Sequence, residues 1–179
     1  MKKLLYLLAI TVIAAGTSCK KDSKKNGMDC DLPSTNVPTE MVGEWASGYN
    51  SMTQIVDVYN GQHLGNAWQS GKYFSFSPDG KSAELYYMAN SGLSSSTATR
   101  AVGTVTFDEN DGSFTFHCCW AHYKGWQNGT KTIDRDATDQ EKAQFLTQKF
   151  FYSFETTGGN TWMQIRFEPG GTPSSFRAL

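Results

Sequence analysis

The side chains best suited to chemistry lie in one short run, His117-Cys118-Cys119-Trp120-Ala121-His122. Cysteine and histidine are ligands of zinc and of soft metals. On a strand, however, Cys118 and His122 share a face but lie about 13 Å apart, too far for one ion to bind both. His117 and Cys119, on the other face, make at most a partial site. We therefore expect no metal here and interpret Cys118 as a small buried hydrophobe.

Catalytic constellations are not evident elsewhere in the chain. It contains no Gly-x-Ser-x-Gly nucleophile elbow and no phosphate-binding glycine motif. Cys118 or Cys119 with His122 is the candidate dyad, but nothing around them indicates a reactive thiol. Asp134 and Asp136 lack the glycine and terminal glutamate of an EF-hand loop. We expect a protein that is not an enzyme, with no catalytic residue and no cofactor.

The N-terminus has the pattern of an export signal. A basic start precedes an apolar run over residues 4–15, which is shorter than the ~20 residues of a membrane-spanning helix. Small residues then lead to Cys19, with Gly16 at the position where leucine is usual. This segment resembles the bacterial lipoprotein signal, in which the cysteine is acylated and becomes the mature N-terminus. A secreted protein with an unmodified Cys19 is the alternative.

The resemblance divides the chain into three parts and implies a location. Residues 1–18 would be the signal peptide, 19–37 a lipidated flexible tether, and 38–179 the ordered domain. Palmitate-like chains on Cys19 would hold the protein on a membrane, because more than one buried acyl chain gives stable attachment. We expect a lipoprotein of the bacterial cell envelope, anchored in the outer membrane. The sequence leaves the periplasmic and the surface face of that membrane open.

The charge balance excludes one class of partner. The whole chain has a net charge of −1, but six lysines lie before residue 26. Residues 26–179 hold 10 Lys and Arg against 16 Asp and Glu, which gives a net charge of −6. An acidic domain lacks the basic surface that nucleic acids require, so we expect no nucleic-acid partner.

One disulfide pairing is favoured among the cysteines. With Cys19 lipidated, Cys30, Cys118 and Cys119 remain. A bridge from Cys30 would tie the N-terminal arm to the domain and close a long loop, which favours stability in the chain-entropy model. Cys119 is the preferred partner, because Cys118 shares the parity of the apolar residues and should be buried. Spacing does not fix the pairing, so a Cys118–Cys119 bridge and three free thiols stay open.

From Met41 onward the hydrophobic period is two, which is typical of strands with one buried face. In the strand after Gly112, the alternation predicts that Phe116, Cys118 and Trp120 share a face. Turn sequences separate the short strands, and this spacing indicates a sandwich or a barrel. One segment differs: Thr138 and Glu141 form a capping-box pattern, which predicts a helix over 138–147.

Met41-Val42-Gly43-Glu44-Trp45 resembles the Gly-x-Trp opening of lipocalins and lipocalin-like proteins, and the order of hairpins, helix and final hairpin resembles bacterial lipocalin-like lipoproteins. The resemblance implies an all-β fold, an antiparallel up-and-down barrel of about eight strands with one short helix. Gly43 would allow a close backbone approach at the start of the first strand, and Trp45 would pack at the closed end. A β-sandwich is the alternative.

Aromatic residues carry the argument for binding. Inward aromatics of a barrel would line an apolar cavity suited to a small hydrophobic ligand, although simple filling of the barrel explains the same residues. Trp68 and Trp126 near loops offer the alternative of a surface module for glycan or protein. The candidate ligand-binding residues are Trp68, Phe74, Phe76, Tyr86, Phe114, Phe116, Trp120 and Tyr152.

Overall fold

The computed structural model describes residues 30–50, 54–56, 63–66, 69–91 and 94–179. The predicted signal peptide, Cys19 and Trp68 lie outside these residues. The strands are β1 (Gly43–Asn50), β2 (Gln54–Val56), β3 (His63–Asn66), β4 (Gln69–Phe76), β5 (Ala83–Ser91), β6 (Ser95–Asp108), β7 (Ser113–Gln127), β8 (Thr130–Asp136), β9 (Gln148–Thr157), β10 (Asn160–Arg166) and β11 (Ser174–Ala178).

Eight of the strands close a ring-like antiparallel sheet in the order β1-β4-β5-β6-β7-β9-β10-β11, with β11 pairing back to β1. Each strand of the ring pairs with the ring strand before and after it in the chain. The predicted all-β, antiparallel, up-and-down arrangement of about eight strands is therefore confirmed. Outside the ring, β8 pairs with the second half of β7, and β2 pairs with β3 in a separate sheet.

The inner face of the ring carries the hydrophobic core, as the alternation of apolar residues requires. Phe114 and Phe116 of β7 are fully buried, and Phe74 and Phe76 of β4 are 3% exposed. The rings of Phe74 and Phe76 stack on each other, and each packs edge-to-face on Phe114, with centroids 5.9 Å and 5.4 Å away. The buried hydrophobic residues are Val37, Met41, Trp45, Phe74, Phe76, Ala83, Ala101, Val105, Phe114, Phe116, Cys118, Ala121, Phe150, Met163, Ile165 and Phe176.

A β-bulge interrupts the alternation of β7. Val102 pairs with Trp120, whereas the next residue, Gly103, pairs with Cys118, so Cys119 is the extra residue. Beyond the bulge the inward residue is Ala121, which is fully buried. The prediction that Trp120 shares a face with Phe116 and Cys118 is therefore wrong, because one inserted residue moves the following side chains to the opposite face.

The N-terminal arm, residues 30–42, closes one end of the ring. The Thr35 N–H donates to the Val105 carbonyl at 3.0 Å, and the Val37 N–H donates to the Pro78 carbonyl at 2.9 Å. Met41 is fully buried, and Trp45 donates its indole N–H to the Met41 carbonyl at 3.0 Å. Packed structure thus begins before residue 38, although the tether was predicted to extend through residue 37.

Gly43 has a different role from the predicted one. A β-carbon at this position would meet nothing within 4 Å, so the residue does not serve a close backbone approach. Its φ is 118°, a conformation that side-chain-bearing residues rarely adopt. Gly43 therefore lets the chain turn from the arm into β1, and Trp45 then enters the core with a ring centroid 5.9 Å from that of Phe154.

The predicted helix is present between β8 and β9. Its α-helical turn, α1, spans Asp139–Glu141 and continues into a π-helical turn over Lys142–Leu146. The predicted capping box is confirmed: the Thr138 hydroxyl accepts from the Glu141 N–H, and the Glu141 carboxylate accepts from the Thr138 N–H. None of the helices in the described residues has the length and apolar character that a membrane span requires.

Candidate functional site

The ring contains a cavity of about 390 Å³ at the end opposite the N-terminal arm. Its walls come from the central parts of β4 and β5 and the first half of β6, with β9, β10, β11 and the π-helical turn on the other side. The volume falls within the ~300–1,000 Å³ of ligand sites in proteins. The buried aromatic residues therefore fill the arm-side part of the ring, and the cavity lies on the other side of them.

The floor of the cavity is apolar. Phe74 and Phe176 have ring centroids 5.4 Å apart, and Phe74 and Phe150 have centroids 5.5 Å apart. These three residues and Ile165 are each at most 5% exposed. Beneath them, Phe114 stacks on Phe150 with centroids 5.2 Å apart, which seals the floor from the arm-side half.

A band of polar side chains lies above this floor. Lys72 shares the inward parity of Phe74, and it pairs across the sheet with Ser47 of β1 and Tyr87 of β5. Tyr87 in turn pairs with Thr99 of β6, so these four residues form one row across the inner face. The Lys72 ammonium donates to the Ser174 hydroxyl at 2.9 Å.

Lys72 is the charged side chain among the lining residues that the structure describes. Its Nζ lies 5.8 Å from the centroid of the Phe167 ring. Burial lowers the pKa of this ammonium, because desolvation penalises its charged form. The described lining of the cavity therefore combines an apolar floor with one cationic group.

Two exposed aromatic rings stand at the mouth. Phe145 of the π-helical turn is 59% exposed and Phe167, just after β10, is 64% exposed. The Phe167 ring contacts Phe150 of the floor, with centroids 5.4 Å apart. Large apolar side chains left in solvent beside a cavity offer surface that a bound molecule would cover.

The structure separates the predicted ligand-binding residues. Phe74 lines the cavity, whereas Phe76, Phe114 and Phe116 belong to the solid core. Tyr152 packs at the arm end, with its ring centroid 5.7 Å from that of Phe107.

The other two candidates that lie in the described residues turn outward. Tyr86 borders the cavity but pairs with Tyr73, which alternates with the inward Phe74, so its side chain lies on the outer face. Trp120 is also outside, stacked on His122 with centroids 5.9 Å apart.

Sequence reasoning missed the polar band, and Lys72 above all. The signal that identifies Lys72 as inward is its parity with Phe74 and Phe76 in a predicted strand. Gln148 and Ser174 carry the same signal, because each lies two residues before a buried phenylalanine, Phe150 or Phe176. Thr99 has a weaker one, because the buried residue two positions later is the small Ala101.

The His and Cys residues of the 117–122 run do not converge. His117 bonds through Nε2 to the Thr106 hydroxyl at 2.9 Å. Cys118 is buried, and desolvation raises the pKa of its thiol to about 11, which keeps it protonated at neutral pH. Within the residues that the structure describes, no group of three or more His, Cys, Asp and Glu is placed to hold a metal.

His122 instead forms an outer-face cluster with two carboxylates. Its Nδ1 lies 2.7 Å from Asp136 and its Nε2 lies 2.7 Å from Asp134. Lys131 also bonds to Asp134. Hydrogen bonds to Asp136 and Asp134 raise the pKa of His122, because both ring nitrogens can donate only in the imidazolium form.

Cys30 and Cys119 form a disulfide, with Cα atoms 6.1 Å apart and a sequence separation of 89 residues. This is the pair that the parity argument favoured. The bridge attaches the start of the N-terminal arm to the bulge of β7, and it leaves Cys118 as a buried free thiol.

Comparison with known proteins finds no family model that matches the chain and no match among curated proteins.

Proposed function

We propose that this protein is a lipid-anchored protein of the bacterial cell envelope that binds a small hydrophobic molecule inside its ring. The cavity of about 390 Å³ with its apolar floor carries the proposal. Each methylene group that such a ligand buries contributes about 0.8 kcal/mol. Several methylene groups buried on this floor would together favour the binding of a short chain or ring system.

The shape of the site supports binding over catalysis. Phe74, Phe150, Ile165 and Phe176 form a continuous apolar surface, and the hydroxyl and ammonium groups stand on one side of it. A site with one apolar and one polar side orients an amphipathic ligand. The resemblance of Gly43-x-Trp45 to the lipocalin opening points to the same class of function.

The N-terminal sequence supports the lipid anchor. Cys19 follows a basic and apolar leader, and Cys30, at the edge of the described residues, is bridged to β7. Acylation of Cys19 would hold the ring beside a membrane, in the outer membrane by our proposal, where small apolar molecules partition. The mass of the mature chain from a membrane fraction tests this: diacyl or triacyl addition supports the anchor, and an unmodified Cys19 excludes it.

The ligand is tested by native mass spectrometry. The full chain carrying Cys19→Ser, recovered from a bacterial envelope without detergent, is measured under native and denaturing conditions. A stoichiometric mass that is lost on denaturation supports an internal ligand. An apo mass, with no uptake from a mixture of fatty acids and sterol-like compounds, would reject the proposal.

A ring that binds no ligand would favour a function at the protein surface. In that case glycan or protein recognition through rim aromatics such as Trp126 becomes the better function. Trp126→Ala would then abolish binding, whereas it would leave a ligand inside the ring unaffected.

A further inference from the structure

Lys72 is held inside the ring by the geometry of β4. It alternates with Phe74 and Phe76, both 3% exposed, and its neighbours across the sheet are Ser47 and Tyr87. An inward lysine is unusual, because the charged ammonium loses hydration when it is surrounded by protein. Lys72 is half-buried, so its ammonium loses part of its hydration, and a polar or anionic partner would compensate for that loss.

The described residues supply only a neutral partner, the hydroxyl of Ser174 at 2.9 Å. No Asp or Glu in the described ranges forms a salt bridge with Lys72. Three other lysines differ: Lys131 pairs with Asp134, Lys142 with Asp139 and Lys149 with Asp111. Those pairs lie on the outside, where water could have served instead. An anionic partner would therefore stabilise Lys72 more than it stabilises these three lysines.

We propose that the ring binds an amphiphile with a carboxylate head group, and that the Lys72 ammonium pairs with this carboxylate while the apolar body lies on the floor of the cavity. This inference rests on the proposed function, because it requires a ligand in the cavity.

The surroundings of Lys72 define how the head group is held. The Ser174 hydroxyl can turn to donate to the carboxylate, and the hydroxyls of Tyr87 and Thr99 line the same band. A charge-assisted hydrogen bond from the ammonium is roughly twice as strong as a neutral one. The Phe167 ring, 5.8 Å from Nζ, covers the pair toward the mouth.

The apolar body has a defined direction. Phe74, Phe150 and Phe176 lie below the Lys72 row, with Ile165 beside them. A chain attached to the carboxylate therefore extends toward the buried core, because the opposite direction leads past Phe145 and Phe167 into solvent. A single ammonium matches the one charge of a carboxylate, whereas a phosphate carries up to two.

The test compares three probes with one chain length and different heads: dodecanoate, 1-dodecanol and dodecyltrimethylammonium. Binding to the full chain carrying Cys19→Ser is measured by calorimetry at neutral pH. Lys72→Met replaces the ammonium by an apolar group of similar length, and Lys72→Arg keeps a positive charge. Lys81→Met, in the exposed turn before β5, is the matched control.

We expect dodecanoate to bind at least about tenfold more tightly than 1-dodecanol, and the cation not to bind. Lys72→Met should weaken dodecanoate by about tenfold or more and leave 1-dodecanol unchanged. Lys72→Arg should retain most of the affinity for dodecanoate. Lys81→Met should bind all three probes as the unaltered protein does. Near-ultraviolet circular dichroism of each variant confirms that the aromatic core is intact.

Other outcomes separate the two proposals. Equal affinity for dodecanoate and 1-dodecanol, unaffected by Lys72→Met, would overturn the role of Lys72 but keep the hydrophobic site. Tight binding of the cation would likewise overturn it. Failure of every probe to bind would count against the proposed function itself, and the carboxylate inference would be lost with it.

Discussion

A β-carbon on Gly103 would overlap the carbonyl oxygen of His117 and would lie 2.9 Å from its carbonyl carbon. Both residues belong to the paired strands β6 and β7, at the bulge where Cys119 is inserted. Neither strand can move away from the other without breaking hydrogen bonds to its second neighbour in the ring, β5 for β6 and β9 for β7. Gly103 is therefore required by the close approach of two strands, and its φ is not the reason.

Gly103→Ala should destabilise the protein by about 1–3 kcal/mol, because the added methyl group forces the two strands apart. The midpoint of urea unfolding measures this loss. Gly48→Ala is the control, since its β-carbon would lie 3.7 Å from the Ser70 carbonyl oxygen, an ordinary contact. Similar midpoints for the two variants would show that the bulge tolerates a side chain.

Loss of the disulfide should also reduce stability. Cys30→Ser opens a bridge between residues 89 positions apart and should cost about 2–5 kcal/mol, because the unfolded chain regains the freedom of a long loop. Urea unfolding without reductant tests this. Cys118→Ala, which removes the free thiol and keeps the bridge, should cost less. An unchanged midpoint for Cys30→Ser would mean that the arm is held by its hydrogen bonds alone.

The capping box should stabilise the helical segment at the cavity mouth. Thr138→Ala should cost about 1 kcal/mol, because the Glu141 N–H loses its acceptor. Thr172→Ala, in the exposed loop before β11, is the control and should fall within about 0.5 kcal/mol of the unaltered protein. Thermal unfolding followed by circular dichroism compares them, and equal transitions would show that the helix depends on Leu146 packing instead.

Acid should remove part of this stabilisation. Hydrogen bonds from Arg135 and Thr138 lower the pKa of Glu141 to about 2, from 4.5. A lowered carboxyl pKa stabilises the folded state above pH 4.5, and this contribution is lost as the pH falls toward 2. Glu141→Gln should therefore flatten the dependence of unfolding on pH in that window. An identical pH dependence in both proteins would contradict the pairing with Arg135.

The pKa values of His122 and His117 should be shifted in opposite directions from that of a free histidine. Asp136 and Asp134 raise the pKa of His122, so its contribution to stability is complete below pH 6.5 and is lost as the pH rises through the raised value. Burial lowers the pKa of His117. Nuclear magnetic resonance of the imidazole protons measures both, and loss of one titration in His122→Gln identifies the signal of His122 among the three histidines of the chain. Coincident midpoints would contradict the cluster.

The sequence predicted the fold better than the site. Alternation, turn residues and the Thr138 capping box were sufficient for the all-β class and the helix, because each is a local signal. The up-and-down arrangement was expected from the resemblance to lipocalin-like proteins, since the local signals fitted a sandwich equally well. The bulge at Cys119 is not local: it depends on how β6 and β7 pair, and it reversed the face of Trp120. The same limit applies to the cavity, because which aromatics fill the ring and which leave a space depends on distances between strands.

The pairing of β1 with β11 has a consequence for the order of folding. Trp45 lies opposite Ala178, and the Leu179 N–H donates to the Glu44 carbonyl at 3.0 Å. The ring therefore closes through residues near the two ends of the domain, a contact of very long sequence separation. A nascent chain cannot complete its core until synthesis has reached the last residues. The unfinished ring therefore leaves one edge of β1 unpaired until β11 has been made.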